Sequence, residues 1–232
     1  TSVVERFKAE RPIIDADIGD GGFYAVAMED PEFRAVVTLY NSYGKAVYVW
    51  KLASSYLSAV RVDGSGRMVV AGFDVSDGGL NSTVTVLERT KEEPIVKIEL
   101  PNELVVSLRA EGGTITVVTD RRVALFDEKT GEQTAVYEPA DGALLGVSMD
   151  PTGNTALLLG RYEVGAGSAL VMLDSRLSET GLADTAREVR YLSMAAGKTA
   201  IVYDGGGAVY NQAGTLVTET LLSGVKAVLV TH

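Results

Sequence analysis

The chain has 232 residues, of which 46% are hydrophobic and 22% are charged, with 25 glycines, no cysteine and one histidine. A chain of this length buries enough apolar surface to fold without covalent or metal cross-links. The lack of cysteine excludes disulfides and cysteine-ligated metal sites. Because the only histidine is the last residue, His232, a Ser-His-Asp triad and a metal site with two histidine ligands are also excluded.

Charge narrows the range of partners. The chain has 31 acidic and 21 basic residues, hence a net charge of −10 at neutral pH. This charge repels nucleic acid and anionic membrane surfaces, so neither is expected as a partner. The longest apolar cluster, residues 156–159, is far shorter than the roughly 18 residues of a membrane-spanning segment. We expect the chain as given to be soluble, and since it starts at Thr1, a targeting segment or anchor can have been removed before it.

Two interpretations fit the first residues. The segment Ser2-Val3-Val4-Glu5 matches a capping box and is compatible with a short helix. The alternative is an outer strand at Phe7-Lys8, since this pair precedes Ile14 by the same seven residues that separate Trp50 from Leu57. The repeated register favours the strand.

From there on, a four-part pattern recurs: strand, glycine turn, strand, loop, strand, polar turn, strand. The first strands of successive units begin about 42 residues apart, the period of a four-stranded propeller blade, near Ile13, Leu57, Leu104, Leu144, Val189 and Val225. The second strands are nearly continuous apolar runs and must therefore be covered on both faces: residues 23–28, 68–73, 115–118, 156–159 and 200–203. The third and fourth strands follow at 35–40, 46–51, 83–87, 95–99, 122–126, 134–137, 169–173, 208–211 and 215–219. The weakly patterned segment 179–184 completes the fourth unit.

These elements predict an all-β fold, a β-propeller of four-stranded antiparallel blades over residues 1–232, with five complete blades and partial strands at both ends. The last of these strands is predicted at residues 225–230. The two ends either complete one ring between them, or the chain is a section of a longer propeller. We favour the second, because neither end supplies the two middle strands of a sixth blade.

Several segments resemble an uncharacterised bacterial family of propeller proteins, a domain of unknown function: residues 35–45, Trp50-Lys51, residues 99–109 and Gly160-Arg161-Tyr162. These are blade-building motifs that carry no chemistry. Members of that family typically have an N-terminal membrane anchor, so the resemblance implies an extracytoplasmic location and contact with a membrane only through an anchor absent from this chain. The Gly-His and Trp-Asp pairs of WD repeats are missing.

Binding residues are expected on the loops that join second to third strands and on the links between blades, because long loops on a rigid scaffold usually carry binding. Two such loops are predicted to be long, residues 74–81 and 160–168. In the first, Asp74 and Asp77 are candidate Ca²⁺ ligands, but their spacing does not match an EF-hand and a solvated glycine-rich hairpin is the favoured interpretation. In the second, Arg161, Tyr162 and Glu163 form a candidate recognition patch, since Tyr and Arg are common anchors at interfaces.

A pair of aspartates and the single tryptophan are two further features of the sequence. Asp15 and Asp17 lie on the first predicted inner strand, and paired carboxylates can perform acid–base chemistry. A pair on one strand more often serves channel polarity or hydrogen bonding, which we favour. Trp50 is expected to pack between blades.

The sequence therefore predicts a non-catalytic, extracytoplasmic binding or scaffolding propeller with a protein or glycan partner, and neither cofactor nor metal is expected. The alternative is a propeller enzyme, a lyase or glycosidase, with a carboxylate or metal site at the mouth of its channel. A purely structural spacer is a third possibility, because fold alone does not define function.

Overall fold

The computed structural model describes residues 8–76, 78–160 and 167–221. Within these ranges, strands form five four-stranded sheets in which each strand pairs with its neighbour in sequence. The sheets are antiparallel, which confirms the predicted fold class. No helix in the described ranges is long and apolar enough to cross a membrane.

The strand bounds follow the predicted order. The first sheet contains β1 (Ile13–Ile18), β2 (Tyr24–Met28), β3 (Ala35–Tyr40) and β4 (Ala46–Leu52). The second contains β5 (Tyr56–Val62), β6 (Met68–Ser76), β7 (Gly79–Leu87) and β8 (Val96–Leu100), and the third β9 (Val105–Glu111), β10 (Thr114–Thr119), β11 (Val123–Asp127) and β12 (Gln133–Tyr137). The fourth contains β13 (Ala143–Met149), β14 (Thr155–Gly160), β15 (Ser168–Leu173) and β16 (Glu179–Thr185), and the fifth β17 (Val189–Ala195), β18 (Lys198–Tyr203), β19 (Gly206–Asn211) and β20 (Leu216–Leu221).

The chain divides into two compact units. The first comprises Thr1–Thr119 with Leu125–Thr134, and the second comprises Asp120–Ala124 with Ala135–His232. The core of the first unit joins buried side chains of the first and second sheets, among them Val37, Leu39 and Met68. Trp50 packs against this cluster, as predicted. The second unit has a corresponding core around Leu170, Met172 and Ile201.

The second strand of every sheet is buried on both faces along most of its length. Ala25, Val26 and Ala27 of β2, for example, are each at most 3% exposed. The same holds for β6, β10, β14 and β18. A strand without a polar face is stable only when both faces are covered, so the apolar runs in the sequence are explained by this burial.

The first strand of every sheet carries one extra residue near its start. There the register against the second strand shifts by one, as at a β-bulge, which bends the strand and increases its twist. The extra residues are Ile14, Ser58, Val106, Leu145 and Arg190. This repeated irregularity is not visible in the hydrophobic pattern, and it determines which side chains face each other further along the strand.

Short turns of the same geometry recur along the chain and connect the strands of several hairpins. An Asp or Asn side chain accepts backbone N–H groups two and four residues further on, which imitates a backbone turn, at Asn41, Asp63, Asp150, Asp174 and Asn211. The residue three positions after it has a positive φ and is glycine in four of these turns, Gly44, Gly66, Gly153 and Gly214. Leu177 adopts the same conformation in the fifth, with φ of 65°.

The structure corrects one loop prediction. Residues 74–81 were expected to form a long loop, but β6 continues to Ser76 and β7 begins at Gly79. Ladder pairing persists to Ser76 opposite Gly79, and Gly78 has a positive φ of 77°, the conformation that tight hairpin turns require. The weakly patterned segment 179–184 is confirmed as a strand, β16. Of the predicted strand at Phe7-Lys8, Phe7 lies outside the described residues and Lys8 is not in a strand. The predicted strand at residues 225–230 and the alternative helix at residues 2–5 lie outside the described residues.

Candidate functional site

Of the residues predicted to bind a ligand, Asp74 is described. It lies near the end of β6 opposite Asn81, and its carboxylate accepts a hydrogen bond from the Ser76 hydroxyl at 2.7 Å. The other predicted site residues lie outside the described residues: Asp77, Arg161, Tyr162 and Glu163. Ca²⁺ binding by the first hairpin and ligand recognition by the second loop therefore stay predictions. Within the described part of the chain, no three Asp, Glu or His side chains are grouped closely enough to hold a metal ion.

The carboxylates of Asp15 and Asp17 connect β1 to β5. Asp15 accepts the backbone N–H of Val60, and Asp17 accepts that of Val62, each at 2.8 Å. The Arg61 guanidinium donates to Asp15 at 3.0 Å and to the carbonyl of Leu108 on β9 at 2.7 Å. These contacts confirm the hydrogen-bonding interpretation of the pair, because the carboxylate oxygens serve to join neighbouring strands.

A groove in the first unit combines aromatic rings with charged groups. Its volume is about 680 Å³, and its lining comes from β1, the loop between β2 and β3, the link between β4 and β5, and the strands β5 and β6. The lining residues are Ile14, residues 29–34, Ala53, Tyr56, Leu57 and Phe73. We call this feature the aromatic groove. It lies among second-to-third-strand loops and links between sheets, where the sequence predicted binding.

Three stacked side chains form one wall of the aromatic groove. The Arg34 guanidinium lies over the Tyr56 ring, 4.6 Å from its centroid, and donates to the Tyr56 hydroxyl at 2.8 Å. On β6, the Phe73 ring stacks with Tyr56 at a centroid distance of 5.5 Å and an interplanar angle of 27°. Tyr56 remains 45% exposed. The stack holds an exposed arginine and an exposed tyrosine in a defined position, which lowers the entropic cost of binding a ligand.

Asp30 shapes the loop between β2 and β3, which lines the aromatic groove. Its carboxylate accepts the backbone N–H groups of Glu32 at 2.9 Å and Phe33 at 3.2 Å and forms an ion pair with Arg11. The hydrogen bond from Glu32 contributes most to holding the pKa of Asp30 below its ordinary value, with Phe33 and Arg11 acting in the same direction against partial desolvation. Asp30 therefore stays ionised and keeps the loop in place.

A second, smaller groove adjoins the first. It has a volume of about 300 Å³, and Ala53 lines both grooves. Asp74 lines this second groove together with Trp50, Lys51 and Lys97. The predicted residue Asp74 thus lies next to the aromatic groove but outside its lining.

Phe33, Arg34 and Tyr56 were not predicted as binding residues. A signal existed for the first two, since an aromatic and a cationic residue follow Asp30-Pro31-Glu32 in a second-to-third-strand loop. This loop is short, and binding had been predicted on long loops. Tyr56 depends on the shifted register of β5, which places it opposite Phe73.

Five successive four-stranded antiparallel sheets with shared first-strand geometry define the molecule as a β-propeller protein. The chain belongs to the family of unknown function DUF5711, whose model matches residues 2–231. No curated protein matches the chain in sequence.

Solved propeller structures are similar to this chain in fold. Hsv2 of Kluyvelomyces marxianus has a TM-score of 0.65 at 13% sequence identity, over 94% of this chain and 64% of Hsv2. The Dos1 propeller has a TM-score of 0.64 at 12% identity, over 93% of this chain and 60% of that one. BamB from Moraxella catarrhalis has a TM-score of 0.50 at 14% identity, over 99% of this chain and 83% of BamB. The chain thus spans less than two thirds of the length of Hsv2, and identity this low shows a common fold alone.

Proposed function

We propose that this chain is a non-catalytic binding or scaffolding propeller that acts outside the cytoplasm and binds a protein or glycan partner. The observation that carries the proposal is the Arg34–Tyr56–Phe73 stack beside an open groove. Exposed Tyr and Arg side chains held rigidly at a concave surface are typical of residues that dominate binding energy.

The chemistry of the groove favours recognition over catalysis. Its arginine is held on a tyrosine ring, and Asp30 is committed to backbone N–H groups and to Arg11. Groups held in position by contacts within the protein can orient a ligand. The carboxylates of Asp15 and Asp17 are likewise committed to the backbone of β5.

The extracytoplasmic part of the proposal rests on the resemblance to membrane-anchored propeller proteins. We expect protease added to intact cells that produce the full-length protein to digest this domain. A domain that resists digestion until the cells are lysed contradicts this location.

Binding at the aromatic groove is tested with two matched tyrosine variants. Tyr56→Ala removes the centre of the stack, whereas Tyr43→Ala removes a tyrosine that is 90% exposed in the turn between β3 and β4. The purified chain is screened against glycan arrays and displayed peptide libraries, and the affinity of each selected ligand is measured for both variants. We expect Tyr56→Ala to weaken binding about tenfold or more, as for a central interface residue, and Tyr43→Ala to leave it unchanged.

Two outcomes contradict the proposal. One is a set of ligands whose affinity is the same for Tyr56→Ala and Tyr43→Ala when both variants have the thermal stability of the parent chain. The other is conversion of a selected glycan or peptide into a product, detected by mass spectrometry, which identifies an enzyme.

A further inference from the structure

Among the described residues, three cationic side chains in and around the aromatic groove already have partners. Arg34 is stacked on Tyr56, Arg11 forms an ion pair with Asp30, and Lys51 lies over the Phe33 ring, 4.5 Å from its centroid. Positive charge in this region is therefore used to hold the walls of the groove.

Two carboxylates in the groove are not used in this way. Glu29 and Glu32 line it and are exposed, and within the described part of the chain neither side chain has a hydrogen-bond or ion-pair partner. Both lie in the loop that Asp30 keeps in place. Unpaired carboxylates in a fixed loop leave a local excess of negative charge, in a chain whose net charge is already −10.

The remaining lining is apolar. Ile14 is 39% exposed at the bulge of β1, and Leu57, which also lines the groove, is 7% exposed. Apolar surface of this kind is covered favourably by aliphatic or aromatic side chains of a partner. The lining of the groove therefore combines apolar side chains with unpaired carboxylates.

We infer that the aromatic groove binds a segment of a partner protein in which Lys or Arg side chains, paired with Glu29 and Glu32, flank apolar side chains that cover Ile14 and Leu57. This inference rests on the proposed binding function and specifies its ligand. Complementary charge steers association and selects among partners, and an extended segment presents successive side chains in alternate directions.

The aromatic stack argues against a sugar as the main ligand. A sugar ring packs on an open aromatic face, but Tyr56 has Arg34 against its ring and stacks with Phe73. The ring of Phe33 is in contact with Lys51 in the same manner. The Tyr56 ring thus has two neighbours within the protein and the Phe33 ring has one, whereas the unpaired carboxylates are available to a cationic side chain.

The test uses three synthetic peptides with the same alternating leucine pattern and either Lys, Gln or Glu at the positions between. Their affinities for the full chain are measured by fluorescence anisotropy at low ionic strength. We expect the Lys peptide to bind most tightly and to lose affinity as salt is raised, because exposed charges are screened.

A matched pair of double variants separates the groove from the overall charge. Glu29→Gln with Glu32→Gln removes both carboxylates of the groove, and Glu132→Gln with Glu138→Gln removes the same charge at exposed positions outside its lining. Removal of two exposed ion pairs corresponds to a loss of about three- to tenfold in affinity. We expect this loss for the Lys peptide with the first double variant and not with the second.

Each result decides the question. If the three peptides bind with equal affinity and Tyr56→Ala weakens the binding of all three, the inference of a cationic ligand is wrong and the proposed binding function is supported. If both double variants lose the same affinity for the Lys peptide, the effect comes from net charge in general, and the inference of a cationic ligand is again wrong. Absence of Lys-peptide binding up to millimolar concentration overturns it too, and the glycan arrays then test the proposed function separately.

Discussion

At the scale of single residues, Asp150 shows how a buried charge stabilises a turn. It is 1% exposed, and one carboxylate oxygen accepts the N–H groups of Thr152 at 2.9 Å and Asn154 at 3.0 Å. The other accepts the N–H of Gly197 at 3.3 Å, from the turn between β17 and β18. Burial alone raises the pKa of Asp150, but the hydrogen bonds from Thr152, Asn154 and Gly197 outweigh it and hold that pKa below its ordinary value.

The sign of this shift predicts an acid sensitivity. Because the pKa of Asp150 is lower in the folded chain than in the unfolded one, its stabilisation is complete above the ordinary value of about 3.9 and is lost as pH falls through the folded value. We expect Asp150→Asn to lower the free energy of unfolding at pH 7 by about 1–3 kcal/mol. The variant should then lose less stability than the parent between pH 5 and pH 3, measured by urea denaturation at each pH.

The exposed Asp20 supplies the control for this measurement, since its side chain makes no hydrogen bond or ion pair in the described part of the chain. Asp20→Asn should leave the free energy of unfolding at pH 7 close to that of the parent. A parallel loss of stability with acid in Asp150→Asn and in the parent chain would show that the Asp150 carboxylate does not contribute to the acid response.

At the scale of elements, side chains of one first strand bind the backbone of the next. Asp15 and Asp17 accept alternate N–H groups of β5, and in the second unit Ser148 of β13 accepts the N–H of Met194 on β17 at 2.9 Å. These bonds satisfy N–H groups that the ladders within each sheet leave unpaired, which is required of buried backbone.

Removing one such bond should therefore destabilise the first unit. Asp17→Ala leaves the N–H of Val62 without its acceptor, and Val62 is 4% exposed. We expect the free energy of unfolding in urea to fall by about 1–3 kcal/mol and the Val62 amide to exchange with solvent faster. Asp20→Ala is the control, and a loss no larger than that of the control would contradict this role of Asp17.

The strands themselves could be predicted because their burial follows the sequence pattern, as in β2 and β14. The aromatic groove could not. In a regular hairpin of β5 and β6 that starts from the Val62–Met68 pair, Tyr56 would lie opposite Asp74. The extra residue Ser58 shifts the register by one, so that Tyr56 lies opposite Phe73. A one-residue shift is set by tertiary packing and leaves little trace in a single sequence. The strands of the hairpin at residues 74–81 were predicted too short, because its polar residues conceal continued pairing.

At the scale of the whole molecule, we propose that binding takes place on the loops and links of the first unit. The sequence had placed the recognition patch at Arg161, Tyr162 and Glu163, which the structure does not describe. The aromatic groove and this predicted patch are two candidate binding sites. A ligand bound at one of them makes a different segment of the backbone less accessible than a ligand bound at the other.

Hydrogen exchange followed by mass spectrometry distinguishes the two most directly. The full chain is compared with and without a ligand selected from the glycan or peptide screen, at a concentration that saturates binding. We expect slower exchange in fragments that cover residues 29–34 and 53–57, which line the groove or lie beside it, and unchanged exchange in the fragment that covers residues 161–163. Slower exchange confined to residues 161–163, or to segments away from both sites, would contradict it.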